Sequence, residues 1–157
     1  MKLWIDADAA PRELKEIVFR AGRRLGFETV LVANQSPGIP AGYSRVRAIR
    51  VDHSADAADR YIAEHASAGD IVVTADIALA AELVPRSVSV IDPRGDEYTE
   101  NDVGTRLSVR DAMEELRGAG LKTGGPPPYG AQAKQAFAAT LDRILTRVLE
   151  RKNDPAP

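Results

Sequence analysis

The chain has 157 residues, 44% of them hydrophobic and 28% charged, which is the balance of one globular domain with a buried core rather than of a disordered or membrane-spanning chain. Cysteine is absent. That excludes disulfides, thiolate catalysis and cysteine zinc sites, and makes a cytoplasmic location the expectation. The formal net charge of -2 offers no global attraction to a phosphate backbone, so any such contact has to be local.

In chain order, "KLWI" predicts a first strand ending at Asp6. From Pro11 the period changes, and Leu14, Ile17, Val18, Ala21 and Leu25 fall on one helical face, with Gly26 as the stop. Asp6 and Asp8 occupy the place where a signal peptide would need its apolar core, and no apolar run is long enough to span a membrane, so no membrane association is expected. "FETVLVAN" predicts a second strand, the Gly- and Pro-dense "QSPGIPAGYS" a loop, and "RVRAIRV" a half-exposed strand. "DHSADAADRYIAEHA" can form a helix with Ala55, Ala58, Tyr61, Ile62 and His65 on one side. "GDIVVTAD" reads as a strand buried on both faces of a parallel sheet, "IALAAELV" as a short helix, and "SVSVI" as a strand ending at Asp92 in the turn "DPRG". Beyond Asp96 the pattern is helical. It has Val109, Ala112, Met113 and Leu116 on one side of one helix, a stiff turn "KTGGPPPYG", and Phe137, Leu141, Ile144, Leu145 and Val148 on a last helix before the frayed tail "NDPAP". The alternation predicts an α/β fold with a mainly parallel central sheet, helices on both faces and a helical C-terminal part, in one domain over residues 1–152.

In open parallel sheets the ligand crevice lies beyond the carboxyl ends of the strands. Asp6, with Asp8, follows the first strand, and Asp76 follows "IVVTA"; Asp56 and Asp59 lie in the first turns of a helix that starts at the same edge. Five carboxylates gathered there would repel unless a cation sits among them, and hard oxygen donors suit Mg²⁺ or Mn²⁺. Each acid also has a plainer reading: Asp8 as a helix cap, Asp56 and Asp59 as first-turn charges facing water, Asp92 as part of a type I turn. His53 and His65 read as surface or partly packed side chains, since no second His stands at metal spacing. The basic stretches "RAGRR" and "SRVRAIR" read as solvated faces. GxGxxG, GxxxxGK[ST] and GxSxG are all missing.

Along nearly the whole chain, "IDADAAP", "DAADRYI", "GDIVVTADIALAAE", "DPRGDEYTENDV", "RLSVRDAMEELRGAG", "TGGPPPYG" and "QAFAATLD" resemble the YaiI/YqxD family of bacterial proteins, which is grouped with PIN-like domains. Ala10, Asp92 and the pair Ala133 and Lys134 depart from the Cys, Asn and Asp-Arg common in that family. The resemblance implies a three-layer α/β/α fold and a metal-dependent nuclease acting on RNA or another phosphodiester. Asp6, Asp8, Asp56, Asp59 and Asp76 would be its metal ligands, Asp6 and Asp76 the catalytic acids, and Arg94 a candidate phosphate contact. "LWIDADAAP" with "IVVTAD" also resembles haloacid dehalogenase-type phosphatases, in which Asp6 would be a nucleophile. Those enzymes place a flap before the first helix, whereas here Pro11 opens a helix almost at once, and the expected lysine is missing. A non-catalytic domain binding RNA or protein is the third reading, and all three leave self-association of the chain open.

Overall fold

The computed structural model describes residues 1–120 and 128–153; most of "KTGGPPPYG" and all but the first residue of "NDPAP" lie outside them. Six strands and five helices follow one another as β1 (Lys2–Asp6), α1 (Arg12–Leu25), β2 (Glu28–Ala33), β3 (Val46–Arg50), α2 (Ala57–His65), β4 (Ile71–Val73), α3 (Ile77–Leu83), β5 (Ser89–Ile91), β6 (Glu97–Tyr98), α4 (Glu100–Gly118) and α5 (Ala131–Asn153). The strands form one sheet in the order β3-β2-β1-β4-β5-β6, parallel throughout except for β6. Ile5 stands opposite Leu31 on one side and Val73 on the other, and Val73 stands opposite Ile91, so the strand ends line up along one edge.

The sheet separates two cores. Leu3, Ile5, Leu31 and Val73 pack with Leu14 and Val18 of α1 and with Phe137, Leu141, Ile144 and Leu145 of α5. Trp4, Val30, Val32, Val72 and Val90 pack on the other face with Ile62 of α2, Leu79 and Leu83 of α3, and Val103 of α4. The fold is therefore a three-layer α/β/α arrangement. Continuous apolar runs in β1, β2 and β4 follow from this, because both faces of those strands are covered. β3 lies at the rim, where each of its faces is only partly covered. Val46 and Ile49 are half-buried and Arg47 and Arg50 exposed, and charge on an edge strand discourages further pairing.

Two features differ from the expected elements. β6 is an unforeseen antiparallel edge strand, two residues long and thus too short to show a period. It is set up by the "DPRG" turn, in which Gly95 N–H donates to Asp92 O at 2.9 Å and Asp92 N–H donates to Asp96 O at 2.8 Å. Gly95 has φ +98, and a Cβ there would come within 2.6 Å of the α5 backbone at Ala136, so the turn accepts only glycine. Thr140 Oγ1 donates to Gly95 O at 2.7 Å and Tyr129 Oη to Pro93 O at 3.1 Å, pinning the turn to the C-terminal helix. The second difference is in α4. Its core contact is Val103, whereas Val109, Met113 and Leu116, the expected apolar side, are 53%, 42% and 41% exposed. The helical period holds, but among the described residues this end of the helix has no layer to pack against.

At the amino ends of the two central strands, Asp70 is buried and fully used. Its Oδ1 accepts from Lys2 N–H at 3.0 Å, and its Oδ2 accepts from Trp4 Nε1 at 3.1 Å and Ser67 N–H at 3.0 Å. A carboxylate can take several donors at once, which no uncharged side chain of its size does. Replacing it by alanine orphans three N–H groups, each costing on the order of 1 kcal/mol or more. Asp70→Ala should lower the unfolding free energy by about 2–4 kcal/mol in urea titrations without changing the slope.

Candidate functional site

The chain winds to opposite sides from β1 and from β4, so the crevice of this sheet opens between the carboxyl ends of those two strands. Asp6 is the last residue of β1 and is half-buried there. Asp8 does not cap α1: Pro11 holds the cap position and no side chain satisfies that end. Asp8 Oδ2 instead accepts from Asn34 N–H at 2.7 Å, tying the loop after β1 to the end of β2. The capping role falls to Asp76, whose Oδ1 accepts from Leu79 N–H at 2.9 Å at the start of α3, while its own N–H donates to Thr74 Oγ1 at 3.0 Å. Asp76 is held in place as a result, with one oxygen committed to the cap.

Asp59 enters from the first turn of α2. Burial pushes its carboxyl up to about 7, with contact and repulsion from Asp76 next, then repulsion from Asp6 and Asp56. Asp59 and Asp76 lie within hydrogen-bonding reach, a contact that bonds only when one of them carries a proton. With both ionised, the buried Asp59 Oδ1 meets no donor among the described residues. Asp6 is also raised above the ordinary carboxylate range, first by burial and then by Asp8 and Asp76. These three acids thus share one field.

Asp6, Asp8 and Asp59 line a cavity of about 280 Å³ together with Asn34, Asp52 and His53. Asn34, Asp52 and His53 follow β2 and β3, so the strand-end rule that singles out Asp6 and Asp76 marks them too. Asp52 accepts from Ser54 N–H at 2.8 Å, and the bonding to Ser54 holds its carboxyl below the usual range. His53, read from sequence as a surface or packed residue, is a wall of the cavity. His65 fits that reading, with its ring stacked on Tyr61 at 3.9 Å.

Asp56 is not brought into this group. It stands exposed at the start of α2 and pairs with Arg60 at 3.4 Å. Arg94 is half-buried in the turn after β5, where its N–H donates to Asp92 Oδ1 at 2.6 Å. Asp92 is raised chiefly by burial, and the charges it feels are Asp96, Arg94 and Arg106 rather than the central acids. Among the described residues, no three His, Asp or Glu side chains stand together closely enough to close a metal cage. The donor set nonetheless suits a hard cation, since Asp59 has a buried oxygen without a donor and two flanking carboxylates that repel it. Mg²⁺ typically keeps several waters and takes only one or two protein carboxylates, so a complete protein cage is not what it requires.

A mainly parallel three-layer sheet with crowded acids at its switch point defines an α/β/α protein with an acidic crevice. Within that class the chain belongs to the YaiI/YqxD family, whose model, described as an uncharacterised family, matches residues 4–147. Among similar curated proteins are the "UPF0178 protein" of Myxococcus xanthus (strain DK1622), 50% identical over 96% of this chain and 97% of its own length, and that of Geobacter metallireducens, 52% identical over 95% and 96%. A further "UPF0178 protein", of Aliivibrio fischeri (strain ATCC 700601 / ES114), is 44% identical over 94% of this chain and 98% of its own. No solved structure matches the chain.

The raised carboxyl of Asp59 has a consequence for stability. The folded state holds this proton to about pH 7, whereas the unfolded chain releases it near the ordinary aspartate value of about 4. The contribution is fully present below the unfolded value and is lost as pH rises through 7. Asp59→Asn should therefore raise the melting temperature at pH 8 by a few degrees, about 1 kcal/mol after allowance for solvent screening of a half-exposed pair, and flatten the decline between pH 5 and pH 8 seen by calorimetry.

Proposed function

We propose that the chain is a divalent-metal-dependent nuclease that hydrolyses phosphodiesters, with RNA as its substrate class and a PIN-like fold. The observation that carries this reading is the crowding of Asp6, Asp59 and Asp76 at the switch point, where like charges are held together although separating them would stabilise the chain. Such arrangements persist where a cation or a reaction requires them. Mg²⁺ or Mn²⁺, when bound, would supply Lewis acidity and offset charge on the phosphoryl oxygens. Asp6 and Asp59 would be its ligands, with Asp8 at the rim.

The chain's own residues do the remainder. Asp76 is fixed by its bonds to Leu79 and Thr74, so it positions Asp59. Asn34 and His53 line the same cavity as the acids and would serve as donors toward a substrate oxygen. Arg94 lies at the same sheet edge, one strand beyond β4, where a phosphate further along the substrate would pass. α1 begins at Arg12, which leaves no room for the flap of a haloacid dehalogenase-type phosphatase and favours the nuclease over a monoester hydrolase. A cytoplasmic location accords with an RNA substrate.

Titration calorimetry with Mn²⁺ and cleavage of an end-labelled single-stranded RNA test this directly. Asp6→Asn should weaken ion binding by at least about 10-fold and abolish cleavage, whereas Asp56→Asn, which removes an exposed charge paired with Arg60 and acting on Asp59 only from a distance, should change both far less. Equal ion affinity in wild type and Asp6→Asn would remove the basis of the proposal.

A further inference from the structure

The sheet edge that holds the acids is lopsided. Asp6, Asp8 and Asp59 share their cavity with residues that follow β2 and β3, whereas on the other flank, beyond β4, arginines come up to the edge. Arg94 follows β5. The others belong to α4, and helical spacing decides which way they face. Val103 is the core contact of this helix, and Arg106, Arg110 and Arg117 stand on the same side of it, at successive turns further along the chain.

This row reaches the carboxyl edge of the sheet. The Arg106 guanidinium lies 4.8 Å from the Tyr98 ring, and Asp92, just past β5, feels its charge. One turn on, the Arg110 guanidinium is raised above its ordinary value first by its bond to Asp111, then by Glu114, and also by Asp76, which puts it within electrostatic reach of the acids. Both side chains are open to solvent, each 33% exposed, and Arg117 is exposed as well. Their carboxylate neighbours are on α4 itself: Asp102 is 3.4 Å from Arg106, while Asp111 and Glu114 are 3.0 Å and 3.9 Å from Arg110. Solvated pairs of this kind contribute little, and a guanidinium has five N–H donors, so such a neighbour leaves most of them open to a second anion.

We propose that this side of α4 binds the backbone of single-stranded RNA, with Arg106, Arg110 and Arg117 on phosphates that lead away from the acidic crevice. The net charge of -2 gives no global attraction to a polyanion, so a local row of cations beside the crevice is what such a substrate requires. From Arg106 to Arg117 the row runs about 16 Å at 1.5 Å per residue, which is room for more than one phosphate. Arginine forks match pairs of phosphate oxygens, and contacts of this kind fix register without reading bases. The proposal rests on the nuclease reading only for where the cleaved bond lies; binding itself is a property of α4.

Fluorescence anisotropy of a labelled oligouridylate, titrated with the full chain in EDTA so that no cleavage consumes it, tests the surface. The wild type should bind at low salt with a Kd of about 100 µM or tighter. Arg110→Ala should weaken binding at least about 3-fold and lower the slope of log affinity against log salt by about 0.7, the loss of one contact to a single strand. Arg110→Lys should keep the slope, and Arg20→Ala, which removes an exposed arginine of α1, should change neither quantity. No binding by the wild type, or an Arg110→Ala variant with wild-type affinity and slope, would overturn the proposal; Mn²⁺ affinity lost in Asp6→Asn would still leave the nuclease reading standing. A weakening with unchanged slope that Arg110→Lys does not restore would mark a packing role and overturn it too. RNA held through Arg110 by a chain that neither binds Mn²⁺ nor cleaves would keep this surface and remove the nuclease reading.

Discussion

The adjacency of β1 and β4 is the constraint on which the rest depends. Because the chain leaves these two parallel neighbours toward opposite sides of the sheet, no connection closes over their carboxyl ends, and a crevice opens there. The same two strands carry an aspartate at each end, and the contrast is instructive. Asp70 at the amino end is buried and meets three donors, so it tightens the fold. At the other end Asp6, which closes β1, and Asp59 of α2 are half-buried beside other acids, and Asp59 Oδ1 meets no donor among the described residues, so they strain it. Equal chemistry thus has opposite energetic sign, set by which backbone N–H groups the topology leaves within reach.

That strain is local, and the surrounding structure is arranged to hold it. Two cores clamp β1 from both faces, with Trp4 on one side and Leu3 and Ile5 on the other, so the strand end bearing Asp6 cannot withdraw. Asp76 is anchored as a cap and cannot turn away from Asp59 without releasing α3. The docking of α5 on the "DPRG" turn, through Thr140, Tyr129 and the close approach at Gly95, steadies β5 and the far end of the same edge. Rigid elements carrying mutually repelling groups are what a pre-organised cation site requires.

Much of this was legible in the sequence because it rests on periodicity. The uninterrupted apolar runs announced strands covered on both faces, and the spacing of Phe137, Leu141, Ile144, Leu145 and Val148 matched a helix buried along one side. Asp6 and Asp76 follow strands, where a topological rule marks them, and Asp59 lies in the first turn of a helix that starts at the same edge. What escaped were properties with no one-dimensional signature. Asp8 and Asp76 are both acids a few residues past a strand, and only the fold decides that Asp76 caps while Asp8 binds Asn34. Asp56 and Asp59 differ by three positions on one helix, and that rotation turns Asp56 to Arg60 and Asp59 to the crevice.

The central claim is that the acids at the switch point hold a cation between them. A crystal structure from Mn²⁺-soaked protein, with anomalous scattering recorded at the manganese edge, tests it most directly. The account predicts an anomalous peak within about 2.0–2.6 Å of a carboxylate oxygen of Asp6 or Asp59, completed by water and close to Asp76. A map without a peak at the crevice, with Asp59 and Asp76 still in contact through a shared proton at pH 8, would contradict it.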